Sequence, residues 1–496
     1  MEKVPTWRIV LDVRIEKFNE VYLRIKCETS IAKELSEFFK FEVPNARFMP
    51  SVRNRMWSGY IHLFSPATGK IYVGLFPYVK KFCEEQGYEV EVVENEFYGW
   101  PDVDHNVPKS QIKRFVNRIS KGINVRNYQI EAIQHIINSD RGIILSPTGS
   151  GKSFIIYALV RYYVDKFDND KILIIVPTTS LVEQMFTDFS DYGWFPEHHC
   201  HKLYAGLNKE TDREVVISTW QSIYQMPKSW FKQFGAAIVD ECHLAKAKSL
   251  TGIMQKLHDC KYRIGTTGTL DGAEIHQLVL EGLFGRCEQV TTTSELIEDK
   301  HLSNLHIRCL VLNHPKEKRQ HRQYDAELDF LSLDEARNSF IAKLADYEPG
   351  NTLVLCRYIT QLDKLIDNLS DSIRPIYKVY GKTPVDDREE IRRLVEEGEN
   401  VIVIASYGVF STGINIKRLH NIVFGSPYKS QIKVLQSIGR GLRVADDKHQ
   451  LNVFDIIDDL SYNGKDNYTL KHFGERINIY NEQGFDYDII PVKLKR

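Results

Sequence analysis

One short segment limits what this chain can become more than any other. The apolar run GIIL, residues 142–145, passes directly into SPTGSGKS, residues 146–153, and then into the helical stretch FIIYALVRYYV. Strand, glycine loop and helix in that order form a cradle in which backbone N–H groups and a helix N-terminus face an anion. Gly149 and Gly151 let the backbone approach phosphate oxygens, Lys152 has the reach for β and γ phosphates, and Ser153 offers a hydroxyl to Mg²⁺. Thr148 and Ser150 complete the loop. Ser146 departs from the general GxxxxGK[ST] pattern, since it stands where the first glycine would be.

A strand feeding such a loop has to be buried on both faces, which calls for a parallel sheet with crossover helices. The expected rhythm is present: KILIIVP, EVVIST and AAIVDE alternate with amphipathic segments such as SLVEQMFTDF. It restarts beyond a charged stretch near Lys316–Arg322, with NTLVLCRY, IYKVYG, NVIVIAS, HNIVFGSP and LNVFDIID. The chain thus reads as two α/β domains in tandem. Ahead of them, short alternating runs such as WRIVLDVRI and KIYVGL, with a helical period near Ile31–Phe39, suit a small α+β module. Lys109, Lys113, Arg114, Arg118 and Lys121 form a basic connector ending at Gly122. These shifts divide the 496 residues into a module at 1–104, a connector at 105–125, a first α/β domain at 126–315, a second at 316–460 and a helical extension at 461–496 packed on the second.

The net charge of -1 conceals an uneven distribution. Arg14, Arg24, Arg47, Arg53 and Arg55 fall early, whereas Glu84 to Asp104 carries six glutamates and no lysine or arginine, so any nucleic-acid surface is local. Within SVRNRMWSGYIHLF, Arg53 and Arg55 are the candidates for phosphate contact; Trp57 and Tyr60 read as parts of a small core. The eight cysteines include no CxxC pair, which suits a reducing compartment. No apolar stretch reaches the roughly 20 residues of a membrane span, and an intracellular protein is expected. His198, His199, Cys200 and His201 lack partners at zinc-finger spacing and read as a polar loop.

AAIVDECH, residues 236–243, is an apolar strand ending in two adjacent carboxylates. At the carboxyl end of a parallel strand, Asp240 suits Mg²⁺ and Glu241 suits an attacking water that has to be oriented and deprotonated. Ser153 and Asp240 are therefore the expected metal ligands. Phosphate loop and carboxylate pair together specify an NTPase.

From about residue 120 to 460 the motifs stand in the order seen in superfamily-two helicases, and the chain resembles that family. RNYQ (126–129) is similar to its adenine-recognising Q element, with Gln129 as the adenine contact; SPTGSGKS and DECH are similar to motifs I and II. PTTSLVEQ (177–184), STWQS (218–222) and TGT (267–269) resemble motifs Ia, Ib and III. LVLCRYITQ (353–361), ASYGVFSTGINI (405–416) and QSIGRGLR (436–443) resemble motifs IV, V and VI. The resemblance implies two RecA-like domains, ATP and Mg²⁺ as cofactors, and a catalytic set of Lys152, Asp240, Glu241, Gln436, Arg440 and Arg443. The i, i+3 spacing of the two arginines lets them face one way, toward the transferring phosphoryl group. Thr178, Thr219, Ser411 and Thr412 are implied as contacts to strand phosphates.

Within the family the arrangement most resembles phage recombination helicases. That implies branched DNA as substrate (forks, Holliday junctions, R-loops with their RNA–DNA hybrid), work as a monomer, and residence in the host cytoplasm. An RNA helicase of the same superfamily and a duplex-translocating remodelling or restriction subunit are the alternatives, because phosphate contacts do not settle sugar identity.

Overall fold

The computed structural model describes residues 11–43, 46–93, 106–204, 210–246, 248–270, 274–412, 416–426, 430–445 and 447–494. Two compact units make up the chain, one of residues 1–146 and 151–290, the other of residues 291–496 with 147–150.

The first unit opens with a module of six strands. β1 (Val13–Lys17) and β2 (Tyr22–Cys27) pair antiparallel, β3 (Lys40–Glu42) and β4 (Tyr60–His62) form a separate hairpin, and β5 (Lys70–Tyr72) and β6 (Val90–Val92) complete a sheet of order β5-β2-β1-β6. Period-two alternation drives this: Val13, Ile15, Leu23 and Ile25 are buried while Arg14 and Lys26 face solvent. Helices Thr29–Phe38 and Phe76–Gln86 cover the apolar face with Ile31, Leu35, Val79 and Phe82.

This module shares its core with the first α/β domain. Leu278, from helix Glu274–Phe284, lies in the module's own hydrophobic cluster. Tyr78 Oη donates to Glu281 Oε2 at 2.5 Å, and the buried Arg141 pairs with Glu20 at 3.0 Å. Nor is the basic stretch after the module a free linker. It folds as helix Lys109–Ile119, whose Ile112, Val116 and Ile119 belong to the core of the first α/β domain, leaving Lys113, Arg114 and Arg118 exposed. The expected boundary at residues 104 and 105 lies outside the described residues.

The domain's sheet is built of β7 (Arg141–Leu145), β8 (Lys171–Val176), β9 (Cys200–Leu203), β10 (Val215–Thr219), β11 (Phe234–Asp240), β12 (Tyr262–Thr267) and β13 (Cys287–Gln289). Every pairing is parallel, in the order β13-β7-β12-β11-β8-β10-β9. β12 is thereby inserted between β7, which leads into the glycine loop, and β11, which ends in Asp240.

The second unit holds another parallel sheet of seven strands: β14 (Asn304–Asn313), β15 (Thr352–Cys356), β16 (Ile376–Val379), β17 (Ile402–Ser406), β18 (Asn421–Phe424), β19 (Gln450–Asp459) and β20 (Tyr487–Lys493). Their order is β16-β17-β15-β18-β19-β14-β20. Two expectations are corrected here. β14 pairs with β19 along ten residues, so this sheet starts ahead of residue 316; the charged Lys316–Arg322 stretch that looked like a boundary is internal. The last segment contains helix Tyr468–Glu482 as expected, but also β20, an edge strand pairing with β14. Pro491 masked it in the sequence, and an edge position is where a strand tolerates proline.

Buried ion pairs cross-link this unit. Asp458 accepts from Arg337 Nε at 2.9 Å and lies 2.9 Å from His314 Nε2, all three inaccessible to solvent. Burial pushes the Asp458 carboxyl up, but Arg337 and His314 outweigh it and hold it at about 2. Asp455 is bound in the same way by Arg476 and Tyr480.

Candidate nucleotide and nucleic-acid sites

The glycine loop leaves β7 at Leu145 and enters helix Lys152–Lys166, with Gly151 as its N-cap. Gly149 and Gly151 have φ of +87° and +82°, a left-handed backbone that turns successive N–H groups toward one side of the loop. Ser146 is absent from the positive-φ residues, which is the reason a serine serves where the general pattern has glycine. Its N–H donates to Thr267 O at 2.9 Å, tying the loop to the end of β12. Lys152 Nζ donates to Ser146 O at 2.9 Å, folded across the loop it serves.

At the end of β11, Asp240 Oδ1 accepts from Thr266 Oγ1 at 2.8 Å and from Glu241 N at 3.0 Å. Glu241 adopts a φ of +53°, unusual for a side-chain-bearing residue and a sign of a constrained site. Burial, reinforced by the neighbouring Glu241, pushes the Asp240 carboxyl up to about 6, against the pull of Lys152. Two crowded carboxylates beside one lysine, with Ser153 opening the adjacent helix, form an oxygen donor set that suits Mg²⁺. Thr267 lies at the junction: its Oγ1 is 2.9 Å from His243 Nδ1 and 3.5 Å from Glu241 Oε2. Strand order thus places TGT between the phosphate loop and DECH, where it touches both.

Gln129, expected as the adenine contact, packs beside the phosphate loop. It is 5% exposed. Its Oε1 accepts from Arg126 N at 3.0 Å, and its Nε2 donates to Gly151 O at 3.4 Å. The amide links the start of helix Asn127–Ser139 to the phosphate loop.

Comparison with known proteins gives this arrangement a relative along its whole length. The ATP-dependent DNA helicase uvsW of Enterobacteria phage T4 is 35% identical, covering 98% of this chain and 100% of the relative. The chain belongs to the UvsW helicase family. Its residues 11–93 match the family model "DNA helicase UvsW, N-terminal", residues 122–272 match "Type III restriction enzyme, res subunit", and residues 336–445 match "Helicase conserved C-terminal domain". The crystal structure of T4 UvsW aligns with a TM-score of 0.51 at 33% identity, over 98% of this chain and 100% of that one. More distantly, the DNA 3'-5' translocase XPB2 of Sulfurisphaera tokodaii is 24% identical over 82% of this chain and 93% of its own length.

In this UvsW-family member, motif VI begins on helix Gln431–Gly441, which carries Gln436 and Arg440. The helix stops at Gly441, so Arg443 lies beyond it, and the helical-face argument for pairing the two arginines gives way to a turn. A residue unremarkable in the sequence braces that turn. Lys448, 3% exposed, donates from Nζ to Gly441 O, to Arg443 O at 2.9 Å and to Lys417 O at 3.5 Å. Burial pushes this ammonium down to about 7. Nothing local marks Lys448, because its acceptors are backbone carbonyls, two of them five and seven residues away and the third 31 residues away.

The strand-contact residues divide. Thr178 N-caps helix Thr179–Asp191 and accepts from Leu181 N at 3.4 Å. Thr219 is buried and its hydroxyl is 2.9 Å from that of Ser222. Ser411 and Thr412 close the short helix Tyr407–Thr412, and their side chains lie outside the described structure. Arg53 and Arg55 are exposed; Trp57 is half-buried and bonded through Nε1 to Tyr60 O at 2.9 Å, while Tyr60 is 37% exposed and neither ring belongs to the module's hydrophobic cluster, which corrects the core reading of the pair.

Proposed function

We propose that this protein is an ATP-driven DNA helicase that remodels branched DNA, opening forks, migrating Holliday junctions and displacing the RNA of R-loops, and that it works as a monomer with Mg²⁺. The observation that carries the reading is the placement of Lys152 and the Asp240–Glu241 pair at the carboxyl ends of parallel strands, in a chain alignable end to end with a DNA helicase.

ATP would supply the phosphoanhydride bond that is broken, and Mg²⁺ would supply positive charge against its phosphates. For the protein, Lys152 leaves Ser146 O to neutralise phosphate charge, and the backbone of Thr148–Gly151 orients the polyphosphate. Ser153 and Asp240 would hold the cation. Glu241 orients the attacking water and accepts its proton, while Thr267 relays the change away from the carboxylates along its own strand. Arg440 and Arg443, with Gln436 on the same motif, act on charge developing at the transferred phosphoryl group. Arg53, Arg55, Thr178, Ser411 and Thr412 would track phosphates without reading sequence.

ATPase rates on single strands, duplex, forks, four-way junctions and RNA test the proposal, with Lys152→Ala as control. Branched DNA should stimulate most, and Lys152→Ala should lose hydrolysis while retaining DNA binding. Strand separation confined to RNA, or translocation on duplex without separation, would replace this reading with one of the two alternatives.

A further inference from the structure

Hairpin β3–β4 of the N-terminal module carries a helical knob at its tip. Ala46–Phe48 form a 3-10 turn and Pro50–Arg53 a single helical turn. Arg55, at φ +55°, reverses the chain, and both Met56 N and Trp57 N donate to Ser51 O, at 2.8 and 3.1 Å. Buried Ala46 and the Trp57–Tyr60 bond seat the knob on the module.

What the knob presents is unusual. Phe48 is 64% exposed, Met56 75% and Met49 37%, three large apolar side chains within nine residues. Solvated apolar clusters of this kind mark interaction surfaces. Around them stand Arg47, Arg53 and Arg55, all exposed and none with a carboxylate partner among the described residues; the Arg47 guanidinium lies 4.8 Å from the Phe48 ring centre. Unpaired cations set among exposed apolar groups fit a ligand that offers phosphates and unstacked base faces together. A branch point in DNA does so, because the last base pair of each arm has an open face.

We propose that Phe48 and Met56 form a wedge that caps the terminal base pair at a DNA branch, while Arg47, Arg53 and Arg55 hold the flanking phosphates. The proposal rests on branched DNA being the substrate. Its mechanical basis is the core shared between module and motor: Leu278 and the Tyr78–Glu281 bond fix the module to the first α/β domain, so the wedge travels with that half of the motor. A strand drawn along by the motor is then pulled against a fixed obstacle, and the pair at the branch opens.

The test uses the full-length chain carrying Phe48→Ala with Met56→Ala. Both side chains are exposed, so folding should be unaffected, and a melting temperature matching the parent checks it. Forks carry 2-aminopurine in the pair next to the branch. Parent protein without ATP should raise its fluorescence, and the double variant should not. Strand separation should fall about tenfold or more, while ATPase stimulated by single strands stays at the parental rate. Phe48→Leu, which keeps apolar bulk, should retain most of the separation rate. Parental separation by the double variant overturns the wedge, as does parent protein that leaves the fluorescence unchanged; a knob serving a protein partner would give both results. If the parent binds forks and brightens 2-aminopurine but never separates strands, the helicase reading fails and the branch contact stands.

Discussion

Replacing Gln129 with alanine separates two roles that one glutamine could have in a nucleotide site. Its amide holds Arg126 N at 3.0 Å and Gly151 O at 3.4 Å, and a Cβ on Gly151 would fall 2.4 Å from its Nε2, so it is pressed against the loop. Losing the bond to the helix start costs about 1 kcal/mol, by analogy with helix caps. Losing the longer bond to Gly151, whose carbonyl still accepts from Phe154 N and Ile155 N, costs about 0.5 to 1.5 kcal/mol. The sum, about 1.5 to 2.5 kcal/mol, corresponds to a factor of about 10 to 70 if it falls on the phosphate loop. The loop binds triphosphate whatever the base, so kcat/KM should drop by that factor for ATP and GTP alike, measured with saturating fork DNA. Loss confined to ATP would refute the brace and restore the adenine contact. Unchanged kcat/KM for both nucleotides would refute both.

Glu241→Gln keeps the shape of the side chain but removes its proton affinity, so the variant should bind ATP and turn over at least about a hundredfold more slowly; nucleotide trapping with single-turnover kinetics checks this. Arg440→Ala or Arg443→Ala should lower kcat by about 10³ to 10⁵ with a smaller loss of ATP affinity, and equal losses of both in titration and steady-state assays would assign the arginines a structural role. Arg337→Met leaves Asp458 buried with His314 alone and should cost about 3 to 5 kcal/mol, read in urea melts of the full chain. In the parent, Asp458 is held at about 2, below its ordinary 3.8. Its stabilisation is therefore complete above about pH 4 and is lost as pH falls from there toward 2, whereas in the variant the loss should begin at higher pH, checked by melts from pH 3 to 7.

The sequence by itself determined the parts whose chemistry lives in consecutive residues. A phosphate loop needs two glycines at positive φ, a lysine and a hydroxyl within a single turn, so SPTGSGKS is readable without its neighbours. The same holds for DECH at the end of a buried strand and for Gln436 and Arg440 on one helix. Two parallel sheets were legible because buried strands must be continuously apolar. Strand order was decided only in three dimensions: the insertion of β12 between β7 and β11 brings Thr266 and Thr267 to the carboxylates, and no local pattern encodes that neighbour. The same is true of β20, disguised by Pro491, and of Gln129, whose partner Gly151 lies 22 residues away. Lys448 reads as one more surface lysine until the carbonyls of Gly441, Arg443 and Lys417 converge on it. Phe48 and Met56 show the converse, since composition would bury them. Apolar character states what a side chain gains by leaving water, but whether anything covers it depends on surfaces contributed from elsewhere in the chain, and among the described residues none is folded over them.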